Sequence, residues 1–326
     1  MLPLAPQEAA RRVLEGDRRI CARLITLLEE GHEVAKEVMK LLYPRTGRAV
    51  TVGVTGGTGS GKSTLVDQLI QVFRHRGQRV GAVLVDPSSP FSGGAFLGDR
   101  LRMQRHSRDE GVYIRSMASR GYLGGLARAT SETIRVMEAM GMDVVLIETI
   151  GAGQDEVDVI QVAQTCILVI SPGSGDEIQA LKAGLMEIGH IFVINKSDLD
   201  GASQALRAVE AALSLKVVPD GVWRPRVLST VATEGKGIDE LIEAILGHRD
   251  HLQRGEGMNH ARSQRVEHEL GMIFRDELER VVFRGLKGTG MKKRYIQEIL
   301  DGKTDPYSVI EEVLSIFLKK RPAPWR

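Results

Sequence analysis

The sequence predicts an α/β domain with a mostly parallel central sheet and helical extensions at both ends, and three observations support this. Short apolar runs recur at Val50 to Val54, Val80 to Val85, Val144 to Ile147, Ile167 to Ile170 and Ile191 to Ile194. Stretches of helical periodicity separate them, and the two ends of the chain lack such runs. Continuous Val, Ile and Leu mark strands buried on both faces, and their alternation with helices marks a parallel sheet.

The elements follow in order. Val13, Ile20, Leu24, Leu27, Leu28, Val34, Val38 and Leu41 recur every three or four residues and predict one or two amphipathic helices, ended by Pro44 and Gly47. After the five runs a last strand is expected at Arg226 to Leu228, then a helix from Ile238 to about His248. His251 to Met258 (HLQRGEGM) has the composition of a linker, and Asn259 to Leu286, Lys292 to Leu300 and Pro306 to Leu318 read as helices with a charged face. The expected organisation is a helical extension at 1–46, an α/β domain at 47–250, and a C-terminal helical extension at 251–326.

The 326 residues leave room for one large domain or two ordinary ones, and 44 basic against 42 acidic residues give no net field that would draw the chain to nucleic acid or an anionic membrane. Cys21 and Cys166 stand far apart, without a CxxC or Cys/His cluster, against a disulfide framework or structural zinc. The N-terminus lacks the apolar core of a signal peptide, and Glu8, Glu15 and Asp17 are unlike a transit sequence. Every apolar run is far shorter than the ~20 residues of a membrane span. A soluble, cytoplasmic protein with no nucleic-acid or membrane partner is expected.

The first strand runs into Gly56-Gly57-Thr58-Gly59-Ser60-Gly61-Lys62-Ser63-Thr64, which satisfies GxxxxGK[ST] in a strand, loop, helix context. Glycines let successive N–H groups face phosphate oxygens, and the helix that follows adds the positive end of its dipole. Lys62 supplies charge to the β and γ phosphates, and Ser63 is placed to ligate Mg²⁺. The sequence thus predicts a P-loop nucleotide site. Asp86 and Glu148 end strands of the same sheet, where magnesium carboxylates are expected; a strand-end acid is otherwise a helix cap or turn residue. Glu148-Thr149-Ile150-Gly151 has the spacing of the DxxG switch with Glu for Asp, which puts the Gly151 N–H near the γ-phosphate.

Asn195-Lys196-Ser197-Asp198 matches NKxD, the guanine-reading sequence. An ionised Asp198 accepts from guanine N1–H and N2–H₂, whereas adenine offers an acceptor at N1 and no group at C2, so ATP is rejected. Lys196 lays its stem along the base and Asn195 braces the loop. A second base contact is expected at Leu228-Ser229-Thr230, which resembles the SA-type loop whose backbone amide meets guanine O6, with Thr230 where Ala is usual.

LVDPSSPFSGGAFLGDRLRM (Leu84 to Met103), ETIGAGQDE (Glu148 to Glu156), SPGSGDEIQALKAG (Ser171 to Gly184) and INKSD (Ile194 to Asp198) resemble the MeaB/ArgK family, G-protein chaperones of adenosylcobalamin-dependent acyl-CoA mutases such as methylmalonyl-CoA mutase. The resemblance covers roughly Val50 to Gly247, and DPYSVIEEVL near the C-terminus also resembles bacterial members. It implies a GTPase that binds GTP/GDP with Mg²⁺ and gates cofactor loading and protection of the mutase. It implies that Asp86, Asp99 and Glu148 form the magnesium and hydrolysis shell with Ser63. Phe91 to Met103, Gly151 to Asp158 and Gly175 to Lys182 then correspond to nucleotide-responsive switches, with Lys182 approaching the nucleotide when the mutase is bound and Gln154 a weaker candidate to position water. Without the resemblance Lys182 reads as a solvated helix lysine. No cis arginine finger is evident, although Arg100, Arg102 and Arg105 keep that open.

The resemblance further implies a homodimer through the C-terminal helices, for which Leu270, Ile273, Leu278, Val281, Val282 and Leu286 offer a face that would equally serve a monomer's core. Two other readings stay open: a P-loop GTPase delivering nickel, though His75, His106 and His190 are scattered singly, and a kinase acting on a small molecule or transport protein. A scaffold that uses nucleotide only structurally is a third.

Overall fold

The computed structural model describes residues 4–87, 103–119, 123–149, 162–173, 185–219, 221–254, 263, 266–275, 277–278 and 290–319. Three helices come first: α1 (Pro6–Leu14), α2 (Arg18–Glu29) and α3 (Glu33–Leu42). The apolar spacing predicted one or two. The extra break falls at Asp17, whose carboxylate accepts hydrogen bonds from the N–H groups of Arg19 and Ile20 and so caps a new helix.

The chain then forms β1 (Val50–Gly56), α4 (Lys62–His75), β2 (Val80–Pro87), β3 (Val112–Ser119), α5 (Leu123–Ala139), β4 (Val144–Thr149), β5 (Thr165–Ile170), β6 (Ile191–Asn195), α6 (Ala202–Ser214), β7 (Arg226–Thr230) and α7 (Ile238–Gln253). All strand pairs are parallel, in the order β3-β2-β4-β1-β5-β6-β7. From β1 the chain moves out to β2 and β3, returns to β4, and then crosses to the other side through β5, β6 and β7. The C-terminal ends of β1, β4, β5 and β6 therefore open side by side at a topological switch point, the place where such sheets hold ligands.

Continuous burial explains the continuous apolar runs. Every residue of β1, β4, β5 and β6 is buried. On one face Val52, Val54, Leu146, Ile167 and Val169 meet Leu65, Leu69 and Phe73 of α4 and Leu241 and Ile245 of α7. On the other, Leu168, Ile170, Phe192 and Ile194 meet Ala205 and Val209 of α6. Each fully buried large aliphatic or aromatic side chain stabilises the fold by about 1.5–3 kcal/mol, so these layers fix the height at which the strand ends stop.

β3 was not among the expected strands. It lies at the sheet edge and mixes Arg115 and Ser116 into its run; the Arg115 guanidinium reaches out to Glu29 of α2 at 2.8 Å. An edge strand packed beside a helix has no need of the unbroken apolar pattern of a central one. α7 also continues through His251 to Gln253, residues whose composition suggested a linker.

The chain divides into two compact units, Met1–Glu269 and Leu270–Arg326. The first holds the N-terminal helices and the sheet, α2 lying against α5. In the second, α8 (Met291–Leu300) and α9 (Pro306–Lys319) share a small core of Met291, Tyr295, Ile299, Val309 and Val313. Leu270, Ile273 and Leu278 are exposed; Val281, Val282 and Leu286 lie outside the described residues. Among the described residues no helix is long and apolar enough to cross a membrane.

Candidate functional site

β1 delivers the chain into a loop that ends at Gly61, where α4 begins with Lys62. Gly61 has φ +92°, and a Cβ there would lie 2.3 Å from the side-chain amide nitrogen of Asn195. Glycine is required both by the left-handed backbone and by the approach of a second loop. The Lys62 side chain is buried, and its ammonium donates to the carbonyls of Gly56 at 2.8 Å and Gly57 at 2.9 Å. The same turn is thereby folded around a cation, with Thr58, Gly59 and Ser60 between its ends.

Ser63 stands in the first turn of α4 and its hydroxyl donates to Oε1 of Glu148 at 2.5 Å. Glu148 is buried near the end of β4, in register with Val54 of β1. Next to it the Thr149 hydroxyl donates to that of Thr55 at 3.0 Å, tying the two strand ends on the opposite sheet face. A hydroxyl and a carboxylate at one strand edge are the oxygen donors that a hard divalent cation requires. Asp86 lies two residues beyond Leu84, the β2 partner of Glu148 in register. Asp99, Gly151, Gln154 and Lys182 lie outside the described residues, as do Arg100 and Arg102. Arg105 is within them: its guanidinium pairs with Asp67 of α4, which also takes His106 Nε2 at 2.8 Å.

The second loop follows β6. Asn195 is 2 % exposed and both ends of its side-chain amide are engaged: Nδ2 donates to the Ser60 carbonyl at 2.8 Å, while Oδ1 accepts from the Thr230 hydroxyl at 3.0 Å and the Ala232 N–H at 3.1 Å. Lys196 adopts φ +56°, and its ammonium donates to the Gly59 carbonyl at 2.8 Å. Ser197 N–H donates to the Thr230 carbonyl at 3.0 Å, and Asp198 is exposed. Residues some 135 positions apart thus meet through two direct hydrogen bonds, and the loops expected at the phosphate and base ends form one surface.

Two details add to the expected pattern. Thr230 is buried with its hydroxyl on Asn195, so it braces the loop, and Ser229 lies exposed before it. Ala232, two residues further on, supplies the backbone N–H that the motif spacing did not single out. Its part depends on β7 lying in register with β6, Thr230 beside Asn195, which no local motif encodes. The cysteines stand apart from the site as free buried thiols, and burial pushes both up to about 12.

Comparison with known proteins agrees with this geometry. Residues 21–286 match the family described as "Methylmalonyl Co-A mutase-associated GTPase MeaB". A protein of Pyrococcus abyssi named as a GTPase is 48 % identical over 309 residues, covering 94 % of this chain and 95 % of its own. GTPase ArgK of Escherichia coli is 35 % identical over 286 residues, covering 83 % of this chain and 86 % of its own. A crystal structure named as a LAO/AO transport system kinase superposes with a TM-score of 0.71 at 26 % identity, over 98 % of this chain and 99 % of that one. The sheet, the loop gripped by Asn195 and these likenesses lead to one conclusion: the chain belongs to the MeaB/ArgK family of P-loop GTPases, enzymes that bind and hydrolyse GTP.

Proposed function

We propose that this GTPase grips GTP from both ends in the single site built by residues 56–64, 148–151 and 195–198, and uses the hydrolytic cycle to gate cofactor loading and protection of an adenosylcobalamin-dependent acyl-CoA mutase. The observation that carries the first half is the hydrogen bond from Asn195 to the Ser60 carbonyl, which joins the two loops. The family description, which names methylmalonyl-CoA mutase, supports the second.

At the tail, the backbone N–H groups of residues 57–64 and the N-terminal end of α4 bind phosphate oxygens. The Lys62 ammonium exchanges its loop carbonyls for the β and γ phosphates. Ser63 and Glu148, with Asp86 and Asp99, would hold Mg²⁺, which when bound neutralises phosphate charge. Lys62 and the oriented amides stabilise charge at the bridging oxygen as water takes the γ-phosphoryl group, yielding GDP, phosphate and a proton. At the ring, Asp198 accepts from N1–H and N2–H₂, and the loop braced by Thr230 and Ala232 holds it in place. Gly151 senses the γ-phosphate and Lys182 approaches only when the mutase is engaged. The protein works in the cytosol as a homodimer, for which the exposed Leu270, Ile273 and Leu278 supply apolar surface.

The test is phosphate release from GTP with and without a methylmalonyl-CoA mutase in catalytic amount. Stimulation by wild type, blunted in Lys182→Ala with intrinsic hydrolysis nearly kept, is the expected result. Absence of stimulation, with label instead passing to a small acceptor, would favour a kinase and remove the mutase reading.

A further inference from the structure

Asp67 stands on α4 one turn after Ser63, outside the phosphate-loop motif, and its carboxylate holds a distant stretch of chain. Arg105 Nε donates to Oδ1 at 2.7 Å, Arg105 Nη2 donates to Oδ2, and His106 Nε2 lies on Oδ1 at 2.8 Å. A carboxylate only accepts, so His106 carries a proton on Nε2, and the guanidinium fork on both oxygens fixes direction as well as distance. The Asp67 and His106 side chains are 17 % and 9 % exposed, and Arg105, at 46 %, closes the clasp from outside.

A second clasp of opposite polarity lies further along the same helix face, on which Ser63, Asp67 and Arg74 succeed one another at helical spacing. Arg74 donates to both oxygens of Asp109 at 2.9 Å, and a Cβ on Gly111 would lie 2.1 Å from the Arg74 guanidinium carbon, so this stretch runs tight against α4. Met103, just before the clasps, is buried in the core that α4 shares with the sheet. A slip along the helix would carry Arg105 towards Arg74 and Asp109 away from it, so the two clasps together set the register. Their position bears on the chemistry. The chain leaves β2 at Pro87, where Leu84 pairs in register with Glu148, and is held at Met103 to His106 against the helix that carries Ser63. Ser63 and Glu148 are themselves joined by a 2.5 Å hydrogen bond, so the clasp fixes this chain to the frame that aligns them.

We propose that Asp67 is a positioning residue for GTP hydrolysis: by clasping Arg105 and His106 to α4 one turn from Ser63, it fixes the chain that follows β2 at the magnesium end of the site. This rests on the reading of Ser63 and Glu148 as magnesium donors. Arg105 is then one half of the clasp and not a group that reaches the phosphates, and Asp67 acts through it without touching nucleotide.

The experiment compares wild type, Asp67→Asn, Arg105→Gln and the double variant in single-turnover GTP hydrolysis across a magnesium chloride titration, and in calorimetric GDP binding with the metal chelated. Asp67→Asn and Arg105→Gln should each slow hydrolysis by about tenfold and raise the magnesium concentration for half-maximal rate, the effect expected of losing one charge-assisted clasp. GDP binding without metal should stay within about twofold in both, because the phosphate loop and the base loop keep their own bonds. The double variant should be no slower than the worse single one, since each change opens the same clasp. Equal losses in hydrolysis and in metal-free GDP binding would mean that the clasp only supports the packing of α4, unchanged hydrolysis would mean that it supports nothing at the site, and losses that multiply in the double variant would mean that the two residues act apart; each overturns the proposal. A wild-type protein whose hydrolysis does not depend on magnesium would remove the magnesium reading itself, and is recognised before any variant is compared.

Discussion

The side-chain amide of Asn195 donates to the Ser60 carbonyl at 2.8 Å while its oxygen collects the Thr230 hydroxyl and the Ala232 N–H. One buried residue therefore connects β6, β7 and the phosphate loop. Asn195→Ala would strand two donors and an acceptor in the interior and should cost about 2–4 kcal/mol of stability. GTP and GDP affinity should both fall by more than tenfold, because the phosphate loop loses its support. Denaturant melts and calorimetry check this; a variant that keeps full nucleotide affinity would separate the two loops functionally.

Lys62→Ala should abolish detectable nucleotide binding. Its ammonium already occupies the centre of the loop, on the carbonyls of Gly56 and Gly57, so the loss removes both the phosphate's cation and part of what shapes the turn. Retention of tight GTP binding by calorimetry would withdraw the phosphate-loop assignment.

Acid should weaken the junction between α4 and the turn before β3. Arg74 grips Asp109 with two hydrogen bonds of 2.9 Å, and this guanidinium, helped by the Gly111 N–H, holds the carboxyl below the usual carboxylate range. A carboxyl whose folded value lies below its unfolded value of about 3.9 stabilises in full above that pH and loses the contribution as pH falls through the folded value. Asp109→Asn should lower stability at pH 7 by about 1 kcal/mol, discounted for partial exposure. The gap to wild type in urea melts should shrink toward pH 3; a gap that does not change with pH would contradict the ion-pair origin.

What the sequence made legible follows from where each residue sits. β1, β4, β5 and β6 are covered on both faces, so their runs could hardly be anything but apolar, and the loops at their ends carry residue types dictated by phosphate and base chemistry. β3 escaped notice because an edge strand can send Arg115 out to Glu29. The extra N-terminal helix boundary rests on a local cap at Asp17, a signal present in the sequence but outweighed by apolar periodicity. The parts played by Thr230 and Ala232 depend on strand register, and Arg105 is drawn to Asp67 by a contact 38 positions away in sequence. Neither is encoded locally.

The most direct test of a pocket that holds both ends of a guanine nucleotide is the competition of GTP against xanthosine triphosphate for Asp198→Asn. Xanthine presents a carbonyl at C2, to which the new amide can donate. The account predicts that wild type prefers GTP and that the variant reverses the order while Lys62→Ala, in either background, binds neither. An unchanged preference for GTP in the Asp198→Asn protein would contradict it.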